Sequence, residues 1–336
     1  MIIAQTPLRL SFLGGGTDFP DYYASPANAH GGAVVGVSID KYVYVIVKER
    51  FDEKIYVNYS SKEIVDTVDE IQHELVREAM RLTGVDKGVE ITTLADVPSE
   101  GSGLGSSSAV TVGLLQALWT YRGEIRTADQ LAAEACRIEL EVLGRPMGVQ
   151  DAYFSALGGV RKFVFGPDDP HRIHSRRLDL PLERISQLGN NLLLFYTHRT
   201  RRSSTILAPQ LRNIPDRMTV LDQLRELAHE GARCLETGDV DRFGHLLHDG
   251  WGLKTQMADG ITDKGIDEIY ESARDAGALG GKIAGAGGGG FLLLYVPLAA
   301  QDAVRDRLNG AVRELPFRFE RDGTKIIFNV RRDPYF

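Results

Sequence analysis

The sequence predicts an α+β fold built in two parts, and three observations point to it. The first half alternates strand-like runs with helix-periodic segments. The second half carries consecutive helical patterns that lead into a glycine run and an apolar strand. Between them a charged, proline-containing stretch at 179–189 reads as a domain boundary. The 336 residues allow two domains with separate cores or one large one.

In chain order, Leu8 to Leu13 reads as a strand ending at Gly14-Gly15-Gly16, followed by Thr17-Asp18. Arg9 on that apolar strand and Asp18 after the turn resemble one wall of a pocket, or an edge-strand arginine and a solvated turn. Ala33 to Ile39 and Tyr42 to Val47 read as β-branched strands joined tightly at Asp40-Lys41, and Ile55 to Asn58 and Val89 to Thr93 as two more. Ile64 to Leu82 has helical spacing. Thr127 and Gln130 form a capping box for a helix running to about Leu143. Asp151 follows the turn Gly144-Arg145-Pro146-Met147-Gly148, where it can project into a cleft or simply complement a helix dipole. Beyond the strand Leu192 to Tyr196 lies the densest basic loop, His198 to Ser204. Helices are expected over 220–236, 240–257, 264–276 and 300–312, and strands at Phe291 to Val296 and near Phe317 and Ile326.

The most informative stretch is Gly101-Ser102-Gly103-Leu104-Gly105-Ser106-Ser107-Ser108, which opens the apolar-periodic run Val110 to Trp119. Alternating glycines let backbone N–H groups crowd together, and a helix N-terminus beside them favours an anion, naturally a phosphate. The serine hydroxyls can cap the helix, bond a phosphate or coordinate Mg²⁺; a glycine turn before an ordinary capped helix is the plain alternative. A Walker loop would need a lysine here, and a dinucleotide loop would need glycine at position 106.

Composition bounds the partners. With 43% hydrophobic and 25% charged residues the chain reads as a soluble globular protein. Its net charge of -7 argues against nucleic acid, so any anionic ligand is held by local basic residues. Cys136 and Cys234 lie far apart in helix-patterned segments and suggest neither a disulfide framework nor a zinc cluster. The first residues have no export pattern and the apolar run at 291–296 is too short to span a bilayer, so a cytoplasmic protein without a membrane partner is expected.

Three motifs in fixed order resemble the signatures of the GHMP kinases, the family of galactokinase, homoserine kinase, mevalonate kinase and phosphomevalonate kinase. They are Pro7-Leu8-Arg9-Leu10-Ser11 with Gly14 to Asp18, the loop Gly101 to Ser108, and Lys282-Ile283-Ala284-Gly285-Ala286-Gly287-Gly288-Gly289. Motif one, Ile39 to Val45, Gln150-Asp151 and the four-glycine third motif most resemble bacterial kinases acting on the anomeric oxygen of D-glycero-D-manno-heptose 7-phosphate. The Gly-Glu-His common in galactokinase-like and mevalonate-kinase-like members is replaced here by Gly14-Gly15-Gly16.

The resemblance implies an N-terminal ATP-binding domain like ribosomal protein S5 domain 2, expected at 1–185, and a ferredoxin-like C-terminal domain at 190–336, with the site between. It implies ATP and Mg²⁺ as cofactors and a small sugar or sugar phosphate as substrate. By position, Asp151 would be the catalytic aspartate and Arg9 its basic neighbour. Gly101, Ser102, Gly103, Leu104, Gly105, Ser106, Ser107 and Ser108 would bind ATP, and Ser107 and Glu139 the metal. Asp18, Gly15, Gly16, Gly287 and Gly288 would contact substrate. Arg199, Arg201 or Arg202 would hold a substrate phosphate, unless the loop is merely solvated, and Lys282 is a secondary phosphate contact. A free-sugar kinase acting on L-fucose, galactose or mannose is the alternative. A decarboxylase of the same fold, a non-catalytic sugar sensor and a nicotinamide-dependent oxidoreductase fit the motifs less well.

Overall fold

The computed structural model describes residues 1–98, 101–167 and 173–330; Ser99 and Glu100, which lead into the glycine loop, lie outside these. Ile2–Leu13 (β1) runs antiparallel to Gly32–Glu49 (β2), with one helical turn, Pro20–Tyr23 (α1), between them. The connection expected at Asp40-Lys41 is not a turn: β2 is continuous, and these residues form a bulge where the register passes from Pro7 opposite Tyr42 to Leu8 opposite Ile39. Both halves of β2 pair with the same strand, and a proline, which has no N–H to offer, sits at the interruption.

Ile55–Asn58 (β3) and Lys62–Val65 (β4) form a hairpin. The helix expected over 64–82 is therefore shortened to Glu74–Thr83 (α2), after a 3-10 turn closed by a Thr67–Glu70 capping box. Val89–Ala95 (β5) joins β2 on one side and β3, in parallel, on the other. Next come Ser106–Arg122 (α3), Ala128–Cys136 (α4), begun by the capping box read from sequence, and Gln150–Leu157 (α5). Val160–Phe165 (β6) and Ile173–Arg177 (β7), which sequence reasoning left unassigned, extend the sheet from Gly32–Val37. Leu182–Asn190 (α6) fills the expected boundary.

The second sheet is antiparallel. It is formed by Leu192–Tyr196 (β8), then, after Ser203–Arg212 (α7), Met218–Thr237 (α8), Val240–Lys254 (α9) and Lys264–Asp275 (α10), by Gly280–Ile283 (β9) and Phe291–Tyr295 (β10). Gln301–Leu308 (α11) and Arg313–Glu314 (β11) complete the order β11-β8-β10-β9. The chain then crosses back, and Lys325–Asn329 (β12) pairs with the outer edge of β1, making the first sheet eight-stranded.

One continuous core joins the halves. Phe12 of β1 meets Phe243 of α9 edge to face at 5.4 Å, and its full burial contributes about 1.5–3 kcal/mol. Leu13 packs onto Gly231 of α8, where a Cβ would lie 2.3 Å from its methyl, so the helix backbone lies directly on the strand end. This packing brings the end of β1, the start of α3 and the end of α9 to one cleft. No helix among the described residues is long and apolar enough to cross a membrane.

Candidate active site

The cleft is a cavity of about 600 Å³ that gathers all three glycine motifs. Its floor is the start of α3. Gly105, at φ +77°, is the N-cap residue, and no side chain caps the helix, which leaves its first-turn N–H groups for a ligand. Ser102 and Ser106 share a hydroxyl contact of 3.0 Å. Leu104 is buried, and its carbonyl accepts from the Arg9 N–H at 3.0 Å, pinning the loop to β1.

The third motif closes over this loop at backbone distance. A Cβ on Gly103 would stand 2.2 Å from the Ala284 carbonyl oxygen, and one on Gly285 would stand 2.7 Å from that of Gly103. Glycine is required on both sides, and both have positive φ.

Arg9 and Asp151 meet as a fork. Arg9 Nε donates to Oδ1 at 2.8 Å and Nη2 to Oδ2 at 2.7 Å, while Nη1 donates to the Gly103 carbonyl at 2.5 Å. Arg9 is 3% exposed, whereas Asp151, in the first turn of α5, opens into the cavity. Asp18 is buried at the cavity wall, accepting from the Gly16 N–H at 2.9 Å and the Gln150 N–H at 3.3 Å. Burial raises its pKa, opposed by the Gly16 bond and reinforced by the charge of Asp151.

Gly148 makes room for that carboxylate, since a Cβ there would lie 1.9 Å from Asp18 Oδ2. Gly148→Ala is expected to displace Asp18 at about 1–3 kcal/mol of strain, roughly five- to hundredfold in acceptor KM. Steady-state kinetics should show the KM for nucleotide unchanged; an unaltered acceptor KM would mean that Asp18 makes no substrate contact.

Glu139 does not sit in a regular helix. Arg137–Val142 forms a wide π-helical turn after α4, and it aims Glu139 inward at 0% exposure. Oε2 accepts from the Ser107 hydroxyl at 2.6 Å, while Oε1 and the Ser108 hydroxyl have no hydrogen-bond partner. Burial raises the Glu139 pKa, and the Ser107 bond opposes it. These oxygen donors, with an orphaned carboxylate oxygen among them, fit Mg²⁺, which takes few protein ligands and completes its shell with water and phosphate oxygens. No group of three or more His, Cys, Asp or Glu able to hold a metal alone occurs among the described residues.

Of the arginines expected to hold a substrate phosphate, Arg202 lines the cavity. Arg199 and Arg201 instead pair with Asp263 at the start of α10, at 2.6 and 3.8 Å. Gly15 and Gly16 line the cavity; Gly287 and Gly288 pack on Ile261 and on Gly260 and Ile206.

Two residues escaped sequence reasoning. Arg145 Nη1 donates to Ser107 Oγ at 2.7 Å and lies 3.5 Å from Glu139, placing a guanidinium beside the proposed metal donors. Lys254, near the end of α9, lines the cavity at 5% exposure; a lysine on the inner face of an amphipathic helix was the available signal.

The family descriptions "GHMP kinases N terminal domain" and "GHMP kinases C terminal" match residues 64–159 and 223–314. The D-glycero-alpha-D-manno-heptose 7-phosphate kinase of Campylobacter jejuni is 28% identical, across 96% of this chain and 98% of that protein. A mevalonate kinase of Methanothermobacter thermautotrophicus is 31% identical over 64% of this chain and 67% of its own. Among solved structures, a D-glycero-D-manno-heptose 1-phosphate kinase from Bacteroides thetaiotaomicron shares the fold with a TM-score of 0.80, at 24% identity over 99% of this chain and 100% of that one. With both family descriptions matched in order over more than half of its length, the chain belongs to the GHMP kinases.

Proposed function

We propose that the protein transfers the γ-phosphoryl group of ATP to a sugar phosphate, specifically to the anomeric hydroxyl of D-glycero-D-manno-heptose 7-phosphate, giving the 1,7-bisphosphate. The observation that carries the kinase reading is the forked Arg9–Asp151 pair opening into the same cavity as the α3 N-terminus and the Ser107–Glu139 oxygens. The likeness to the heptose 7-phosphate kinase along nearly the whole chain supports the acceptor. L-fucokinase/L-fucose-1-P guanylyltransferase of Bacteroides fragilis, 27% identical over 91% of this chain, supports a free sugar as the second reading.

Phosphoryl transfer demands positioning and charge stabilisation more than covalent chemistry. The Gly101–Ser108 backbone and the first turn of α3 bind the triphosphate. Ser107 and Glu139 would hold Mg²⁺, which would supply positive charge to neutralise the phosphate oxygens. Asp151 orients the acceptor hydroxyl and takes its proton, and Arg9 fixes the carboxylate with two of its donors. Asp18 bonds sugar hydroxyls, and the third motif screens the loop from water.

The test is ADP release from Mg-ATP across D-glycero-D-manno-heptose 7-phosphate, mannose, galactose, L-fucose and mevalonate, with phosphorus NMR of the product. Turnover with the heptose phosphate alone and a new anomeric phosphate resonance are expected. Turnover with a free sugar alone would replace the acceptor, and no ADP with any of them would end the kinase reading.

A further inference from the structure

The Gly15–Gly16 turn is surrounded by polar groups that phosphoryl transfer does not employ. Ser11 Oγ, Gln150 Nε2 and Lys282 Nζ converge on Gly15, at 3.4, 3.7 and 3.9 Å from the point a Cβ would occupy, and Lys254 Nζ stands 3.5 Å from that point on Gly16. All four side chains belong to buried residues. Ser11 Oγ and Gln150 Oε1 have no hydrogen-bond partner. Lys282 donates to the Phe12 carbonyl at 3.3 Å and Lys254 to Gln210 Oε1 at 2.6 Å, and neither ammonium has a carboxylate within ion-pair distance among the described residues.

Two buried ammonium groups near one another, without a counter-ion, are costly unless a ligand supplies the charge. Burial lowers the Lys254 pKa to about 8, with the charge of Asp18 opposing. Burial, then Lys254 and Arg9, lowers that of Lys282 to about 7, again against Asp18. Asp18 carries at most one negative charge, so it cannot balance both ammonium groups. A phosphate monoester carries close to two negative charges at neutral pH and several acceptor oxygens, which match two ammonium groups, an amide and a hydroxyl. The arginine loop offers a poorer match: Arg199 and Arg201 are exposed and already paired with Asp263, and Arg202, which lines the cavity, is exposed.

We propose that Lys254 and Lys282, with Ser11 and Gln150, form an anion subsite along the Gly15–Gly16 turn that holds the phosphate of the acceptor and selects it over its neutral counterpart. This deepens the kinase reading and rests on it for the identity of the acceptor.

The test is calorimetric binding, without nucleotide, of D-glycero-D-manno-heptose 7-phosphate, the free heptose and mevalonate. Lys254→Met and Lys282→Met are each expected to weaken the sugar phosphate about ten- to hundredfold, the size of a charge-assisted hydrogen bond, and to leave the free heptose unchanged. Thermal stability should hold or rise, since a buried uncompensated charge is removed. Wild-type binding at pH 8 should take up protons, read as a heat that varies with the ionisation enthalpy of the buffer, because the anion restores both ammonium forms. Should a methionine variant fail to fold, Gln150→Glu places a carboxylate beside the same subsite and should weaken the phosphate selectively.

Equal weakening of sugar phosphate and free heptose, no binding of the sugar phosphate, or tighter binding of mevalonate would overturn the subsite. If no acceptor yields ADP while lysine-dependent phosphate binding persists, the kinase reading falls and the subsite stands. If a free sugar is turned over indifferently to both lysines, the subsite falls and the kinase reading stands.

Discussion

Asparagine in place of Asp151 is expected to lower kcat by about 10²–10⁴ while the KM for ATP stays close to the wild-type value. The replacement is isosteric and keeps one oxygen for the Arg9 fork, so the start of α5 should not move. What it removes is the negative charge that, in the proposed mechanism, would orient the acceptor hydroxyl, and the lone pair that would take its proton. The proposed nucleotide contacts lie on another element, the Gly101–Ser108 loop, which Arg9 links to Asp151. Steady-state kinetics with a separate nucleotide-binding measurement distinguishes the two: near-normal turnover removes Asp151 from the chemistry, and lost nucleotide binding makes it structural.

Lysine in place of Arg9 is expected to damage both turnover and stability. The guanidinium makes three short bonds in a fixed plane, two to Asp151 and one to the Gly103 carbonyl, and a single ammonium cannot span them. One or two charge-assisted bonds are lost, and about tenfold or more in kcat follows if Asp151 then wanders from its productive angle. Because Asp151 opens partly to solvent, the cost to folding should stay near 1–3 kcal/mol rather than the larger penalty of a fully buried pair. Denaturant unfolding read beside kcat checks this. Wild-type values in both would mean that the fork is a crossing of neighbours with no shared work.

What sequence reasoning could reach here was whatever lies within a few residues of itself. Apart from Gly15, the glycines of the three motifs could be read because a positive φ or a backbone approach favours no other residue type. The capping box at Thr127 and Gln130 could be read because its partners are three residues apart. Glu139 was reached by resemblance, but the π-helical turn that aims it inward was not, since a regular helix and a widened one share nearly the same apolar spacing. The continuity of β2 was hidden because Asp40-Lys41 looks like a turn unless one knows that both flanks face the same neighbour. Lys254 and Lys282 reach one turn from α9 and β9, a coincidence of tertiary packing that no local pattern encodes. The arginine loop was legible only as charge density: Asp263, some sixty residues away, pairs with Arg199 and Arg201 and leaves Arg202 on the cavity wall.

The crossing of β12 back to β1 has a consequence for how the molecule comes to exist. β1 is synthesised well before its outer neighbour, residues 325–329, to which it is joined through pairs such as Ile2 with Asn329 and Gln5 with Lys325. The first sheet therefore waits, with one side open, until nearly every residue of the second has been synthesised. Pairings this distant in sequence carry a large loop-closure cost and form late. In the interval β1 offers a bare row of N–H and C=O groups, the kind of edge that recruits other chains. The same strand carries Arg9, so the element on which the proposed chemistry depends spends its early life unprotected, and is secured only when residues 325–329 return to it.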